Sequence, residues 1–140
     1  MTDTPVYLPR TTYRLFAAGG AAVALLFLRE ILNGFSLPSL FFLLGAIAFA
    51  LIHVRWALMR LALTADGVIV RAPLQAPMQI QFRQMITCEE AGRFVPGVSL
   101  VFWPISADGI VDTDVPRAIF LPAVARQDEL LAALQERMPE

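Results

Sequence analysis

The sequence has few of the residues that carry chemistry in enzymes. It contains no lysine, one cysteine (Cys88), one histidine (His53) and four serines. A single cysteine excludes an intrachain disulfide. With one histidine and one distant cysteine, a zinc site has too few protein ligands. There is also no glycine-rich phosphate loop and no serine-triad motif. These absences argue against an enzyme, and we expect no cofactor and no bound metal.

The charged residues are distributed unevenly, and all 11 basic residues are arginine. Residues 1–60 hold five arginines against two acids, whereas residues 61–140 hold six arginines against ten acids. Affinity for nucleic acid depends on basic side chains that neutralise phosphates, so we expect no nucleic-acid partner. The net acidity of residues 61–140 is also a poor match to anionic lipid head groups, which attract polybasic clusters.

Two long apolar runs occupy the first 60 residues. The hydrophobic share of the chain is 57%, above the roughly 45–50% of soluble proteins. About 20 apolar residues are needed for a helix to cross a bilayer, and residues 37–58 meet that length. Residues 13–32 predict a second crossing, because Arg14 and Arg29 lie at its ends, where long side chains reach the interface.

These runs divide the chain into three parts. We predict an N-terminal tail at residues 1–12, a transmembrane helical hairpin at residues 13–60 and a cytoplasmic domain at residues 61–140. The segment MTDTPVYLPR lacks the basic and then apolar pattern of a cleaved signal peptide, and we expect none. A helix lying flat in the interface is disfavoured for the first run, because residues 16–28 have no charged face.

Small residues are present in both predicted membrane helices. Because small side chains let helix backbones approach closely in lipid, we expect them to form the contact between the two helices. The residues assigned to this contact are Gly19, Gly20, Gly45, Ala46 and Ala50.

The arginines that flank the two runs predict the orientation. Four arginines lie on the side of the two chain termini, and Arg71 follows them. The hairpin connection offers only Arg29, beside Glu30. Positive residues stay cytoplasmic, so we predict a bacterial inner-membrane protein with both termini in the cytoplasm. The four topology-setting arginines are Arg10, Arg14, Arg55 and Arg60.

After residue 60 the pattern changes from helical to strand-like. Short apolar or alternating runs are separated by turn signals, of which Ala65-Asp66-Gly67 is the strongest. Residues 126–138 place leucines on one stripe of a helix. We therefore predict an α+β chain in which the hairpin precedes a small antiparallel β-barrel or sandwich with one C-terminal amphipathic helix. The predicted strands are 61–64, 68–71, 78–83, 85–88, 98–105 and 118–121.

This outline resembles small bacterial membrane proteins with two transmembrane helices and a cytoplasmic pleckstrin-homology-like domain. The resemblance covers about residues 12–138. It is carried by Asp66-Gly67 before the second strand, by core and turn positions in the middle of the domain, and by Leu121-Pro122 before the final helix. The middle positions are Ile80, Phe82 and Ile86. The resemblance implies a fold and little about activity, since such folds host many functions.

Aromatic residues near turns are the candidate contact residues of the domain. Phe94, Phe102 and Trp103 contact a partner or the bilayer surface if they share an exposed face. They belong to the core if they point inward. Trp56, which follows the charge-free stretch ending at Val54, is expected to be an interfacial anchor.

The remaining candidates favour structural roles. We expect His53 to be a polar residue near the interface. Cys88 lies beside two glutamates that raise its pKa, so a buried core residue is more plausible than a nucleophile. The acidic residues Asp108, Asp112 and Asp114 lack the spacing of a calcium loop and indicate a solvated turn, with weak divalent-cation binding as the alternative.

Three functions follow from this interpretation. The first is a non-enzymatic membrane protein whose hairpin anchors a cytoplasmic interaction or assembly domain, with the lipid bilayer and membrane proteins as partners. The second is an accessory subunit of a larger respiratory or photosynthetic membrane complex. The third is lipid-related ligand binding or an enzymatic role.

Overall fold

The computed structural model describes residues 4–139, which belong to two compact units. The helical unit comprises residues 10–58. The β unit comprises residues 59–139 together with the N-terminal segment that ends at Pro9. Two long apolar helices are therefore followed by two antiparallel sheets and a C-terminal helix, which is an α+β layout.

The helical unit is a pair of 22-residue helices, α1 (Thr12–Asn33) and α2 (Leu37–Leu58). A three-residue connection makes them antiparallel neighbours. The hydroxyl of Ser36 accepts the Ser39 backbone N–H at 3.2 Å, which satisfies a donor in the first turn of α2. At 1.5 Å per residue each helix is about 33 Å long, so both are long and apolar enough to cross a membrane.

The β unit contains seven strands and one helix. A four-stranded sheet has the order β1-β2-β3-β4, and a three-stranded sheet has the order β5-β6-β7, with every pairing antiparallel. The bounds are β1 Val6–Tyr7, β2 Arg60–Leu63, β3 Gly67–Arg71, β4 Met78–Gln81, β5 Met85–Ala91, β6 Gly97–Phe102, β7 Arg117–Leu121 and α3 Gln127–Arg137.

The core of the β unit follows from the alternation of side chains along the strands. Leu61, Val70 and Ile80 are buried on one face of the first sheet, and Leu100 of β6 is fully buried in the second. The helix α3 contributes the leucines of the predicted stripe, of which Leu134 is fully buried. Burying one face of each sheet and one stripe of a helix is what makes this arrangement stable.

The hairpin predicted around Asp66-Gly67 is confirmed as β2 and β3. The N-terminal segment differs from the predicted tail. Val6 and Tyr7 form β1 and pair with β2, and the Leu63 backbone N–H donates to the Pro5 carbonyl at 3.0 Å. Proline lacks a donor but keeps its carbonyl, so Pro5 can flank the short edge strand β1 and still accept a hydrogen bond from Leu63 of the neighbouring strand β2.

The ends of the middle strands also differ from the prediction. The predicted strand 78–83 stops at Gln81 and continues as a 3-10 helix at Phe82–Gln84. The cause is Gln84, whose buried side-chain oxygen accepts the Gln81 backbone N–H at 2.8 Å. The strand predicted at 98–105 ends at Phe102, two residues before Pro104, which has no N–H for a ladder.

Gln84 also joins the two sheets, and this connection is testable. Its side-chain nitrogen donates to the Trp103 carbonyl at 2.8 Å, although only 3% of the residue is exposed. We expect Gln84→Met to lower the free energy of unfolding by about 1–3 kcal/mol, because buried backbone groups lose their partners. The same substitution at exposed Gln79 is the control. Thermal unfolding of the full chain in mild detergent measures both, and equal stabilities would contradict the role of Gln84.

Candidate interaction surfaces

The contact between α1 and α2 is closest at Gly20. A Cβ atom added there would lie 2.9 Å from a ring carbon of Phe49 and 3.1 Å from the Cβ of Ala50. Such distances leave no room for a side chain, so the small residue at this position lets the two backbones approach closely. Of the predicted packing residues, Gly20 and Ala50 therefore lie in the helix contact.

The other predicted glycines lie elsewhere. A Cβ added to Gly19 or Gly45 would meet no atom within 4 Å. Together with Ala46 they line a groove of about 410 Å³ on the surface of the helical pair, here called the aromatic groove. Gly20 also lines this groove, together with five phenylalanines: Phe16, Phe27, Phe41, Phe42 and Phe49. Gly19 and Gly45 open a concave apolar surface instead of closing a contact.

His53 is embedded among aromatic rings of the helical unit. Its ring centre lies 4.1 Å from that of Phe49 and 5.3 Å from that of Phe16. Its Nδ1 is 2.8 Å from the Phe49 carbonyl oxygen, one helical turn earlier. This contact satisfies one ring nitrogen within the helix itself, which agrees with the structural role expected for His53.

The predicted contact aromatics of the β unit are not one surface. Phe94, in the connection between β5 and β6, is 90% exposed, and the Arg93 guanidinium lies 6.0 Å from its ring centre. Phe102 is buried in β6. Trp103 is half-buried, and its backbone N–H donates to the Gln84 backbone carbonyl. In the helical unit, Trp56 is half-buried and stacks on Tyr13 with ring centres 6.5 Å apart.

Asp108, Asp112 and Asp114, the acidic residues predicted to form a solvated turn, are exposed and lie in the connection between β6 and β7. Asp112 accepts the Asp114 backbone N–H at 3.0 Å, and Asp108 precedes Gly109, whose φ is +77°. Within residues 4–139 no three histidine, cysteine, aspartate or glutamate side chains are grouped to hold a metal ion.

One surface of the β unit, here called the basic groove, was not predicted from the sequence. Arg60 and Arg71 lie directly opposite each other on β2 and β3. They line a groove of about 330 Å³ on the outer face of the first sheet. The strands predicted at 61–64 and 68–71 leave three residues in the turn and would set Leu61 opposite Arg71, whereas four residues separate the paired positions Leu63 and Val68. The pairing of the two arginines was therefore not predicted from the sequence. The rest of the lining consists of apolar Val6, Ala62 and Ile69 and of hydroxyl-bearing Thr4 and Thr64.

Comparison with protein-family models, with curated proteins and with solved structures finds no match. Function is therefore inferred from the residues of the chain itself.

The closest helix contact gives a prediction with an adjacent control. We expect Gly20→Leu to destabilise the helical pair by about 1–3 kcal/mol, because an overpacked contact must separate. Gly19→Leu adds the same side chain to open space and leaves the pair intact. Resistance to added SDS, followed by Trp56 fluorescence in a Trp103→Phe background, measures both variants. Equal losses would show that the contact does not lie at Gly20.

Cys88 gives a second prediction. It is 3% exposed, and burial, assisted by the charge of Glu89, raises the pKa of its thiol from 9.0 to about 11. The thiolate is the reactive form, so at pH 8 alkylation is expected to be about a hundredfold slower than in the unfolded chain. Thr113→Cys in a Cys88→Ser background, exposed in a turn, is the fast-reacting control.

The sign of the linked stability follows from the same shift. A pKa raised by folding contributes stability that is fully present below about pH 9 and is lost as the pH rises through about 11. In the alkylation experiment, a reaction of native Cys88 as fast as that of the Thr113→Cys control would contradict the burial of Cys88.

Proposed function

We propose that this chain is an integral protein of the bacterial inner membrane whose helical hairpin anchors a cytoplasmic domain that binds protein partners. The helical pair supports the anchor. Only 11% of the apolar window of α1 and 6% of that of α2 is buried within the chain. Monomeric soluble proteins rarely expose so much contiguous apolar surface, whereas the hydrocarbon core of a bilayer would cover it.

The pairing of β1 with β2 supports a common side for both ends of the hairpin. Tyr7 before α1 lies opposite Leu61 after α2, so the chain leaves and re-enters one sheet. A hairpin that crosses the membrane twice satisfies this pairing. The flanking arginines then favour the cytoplasm for that side.

The sheets support a pleckstrin-homology-like fold for the β unit. Four and three antiparallel strands followed by a C-terminal helix are the outline that the resemblance implies. Ile80 and Phe82 are buried, as expected for core positions, while Ile86 is 36% exposed. Leu121-Pro122 is buried and leads towards α3.

Phe94 is the observation that carries the interaction role. A ring that is 90% exposed gains about 1.5–3 kcal/mol when it is fully buried, and aromatic and arginine side chains are enriched in the centres of interfaces. Arg93 beside the ring supplies the second of these types. The connection between β5 and β6 is thus the proposed contact loop.

The aromatic groove favours a second function, that of an accessory subunit in a larger membrane complex. Gly19 and Gly45 leave open space on the surface of the helical pair, and phenylalanine rings border it. In lipid, helices associate where small residues let backbones approach. A helix of a partner protein would fill the groove at these glycines.

Affinity purification of the tagged full chain from its native membrane in mild detergent tests these functions. We expect a stoichiometric protein partner whose recovery falls by about tenfold or more in Phe94→Ser, because an aromatic hot spot contributes about 2 kcal/mol. Ile110→Ser, which removes a 68% exposed apolar residue from another connection, is the control.

The outcomes separate the two candidates. Loss of the partner in Gly45→Leu but not in Phe94→Ser identifies an accessory subunit held through the aromatic groove. Purification of this chain alone, with no partner in any preparation, contradicts both.

A further inference from the structure

We propose that Arg60 and Arg71 bind the phosphate group of an anionic phospholipid, so that the basic groove docks the β unit on the membrane surface. This inference rests on the membrane anchor of the proposed function. It adds a specific lipid contact to that anchor.

The register of β2 and β3 brings the two arginines together. Arg60 and Arg71 are Cα partners in an antiparallel pair, where opposite residues have Cβ atoms about 4.5–5.5 Å apart. Both residues are exposed, and within residues 4–139 neither forms an ion pair with a carboxylate. Like charges placed directly opposite each other destabilise a sheet, and a bound anion removes that repulsion.

Two guanidinium groups suit a phosphate. Each has a planar fork of N–H donors that matches two phosphate oxygens. Beside them the groove is lined by apolar Val6, Ala62 and Ile69 and by hydroxyl-bearing Thr4 and Thr64. Two cationic side chains next to apolar residues fit a phosphate that is attached to an apolar body, and a phospholipid has that chemistry.

The position of the pair in the chain brings it to lipid head groups. Only Met59 separates Arg60 from Leu58, the last residue of α2. Two peptide units span at most about 8 Å. A membrane-spanning α2 therefore delivers Arg60, and Arg71 opposite it, to the head-group region.

Leu74 lies in the connection that begins directly after Arg71. Its side chain is fully exposed, and its backbone has a φ of 60°, in the left-handed region that side chains other than glycine rarely adopt. An exposed leucine three residues beyond Arg71 is suited to insertion among acyl chains, as apolar residues do at interfaces. It gives the docking surface an apolar contact beside the cationic one.

The net acidity of residues 61–140 predicted a poor match to anionic lipid, and the local charge alters that expectation. At physiological ionic strength, charges are screened over about 8 Å. Asp66, the acid nearest in sequence, lies in the turn at the opposite end of the β2–β3 hairpin. Four residues of strand put about 10–13 Å between the two ends. The arginine pair therefore acts as a local cationic site in an acidic unit.

Lipid retention by the full chain tests the inference. The protein is reconstituted in nanodiscs that contain phosphatidylcholine and phosphatidylglycerol, and bound lipids are counted by native mass spectrometry. We expect wild type to retain phosphatidylglycerol, and Arg60→Gln with Arg71→Gln to retain about tenfold less. Arg83→Gln with Arg117→Gln makes the same charge change at exposed positions and should match wild type. Equal retention in all three proteins, or equal loss in both double variants, overturns the inference.

Two further experiments identify the ligand and the position of Leu74 relative to the lipid. Inorganic phosphate added to discs of phosphatidylcholine alone should bind no more tightly to wild type than to the Arg60→Gln, Arg71→Gln variant. Phosphate binding that displaces phosphatidylglycerol from wild type would replace the lipid by a free anion and overturn the assignment. An environment-sensitive dye on Leu74→Cys, in a Cys88→Ser background, should shift to the blue in discs with phosphatidylglycerol, and an unshifted spectrum contradicts insertion.

The results distinguish this inference from the proposed function. Phosphatidylglycerol retained through the arginine pair by a chain that purifies without any protein partner supports the inference and contradicts the partner-binding role. A protein that binds its partner but shows no dependence on Arg60 and Arg71 does the reverse. A chain that does not enter lipid discs overturns both.

Discussion

The pairing of β1 with β2 is the constraint on which the rest of the structure depends. Tyr7 lies opposite Leu61, so the two strands that precede and follow the helical unit in the sequence are neighbours in one sheet. Closing so long a connection costs chain entropy, although that cost grows slowly with length. The antiparallel arrangement of the two helices offsets this entropy cost, because it brings the two ends of the connection close together. The short strand β1, which precedes the helical hairpin, thus pairs with β2, which follows it, and joins both ends of the hairpin to one sheet.

The two grooves show how the same chain presents different chemistry to different surroundings. In the helical unit, glycines that are absent from the helix contact leave an apolar concavity bordered by rings. In the β unit, strand register sets Arg60 opposite Arg71 in a groove that apolar residues also line. We propose a partner helix for the first surface and a phosphate for the second. Each is a consequence of local geometry that composition alone does not show.

Helices and strong turns could be predicted from the sequence because their signals are local. The apolar runs gave α1 and α2 nearly to the residue, and Asp66-Gly67 gave the β2–β3 hairpin. The strand at Val6–Tyr7 could not be found, because two residues have no periodicity and their partner lies beyond the helices. The predicted end of β4 was wrong because the buried side chain of Gln84 accepts a backbone N–H that would otherwise belong to the strand ladder. Exposure of Phe94 depends on packing and not on its neighbours in sequence.

Cysteine accessibility in intact cells tests the central claim most directly. Single cysteines are placed at Thr4 before α1, at Phe35 between the helices and at Thr113 in the β unit, each in a Cys88→Ser background. A membrane-impermeant thiol reagent added outside the inner membrane should label the Phe35 position, and should label the Thr4 and Thr113 positions only after lysis. Labelling of Thr4 and Thr113 from opposite sides of the membrane would contradict the account, because β1 could then not pair with β2.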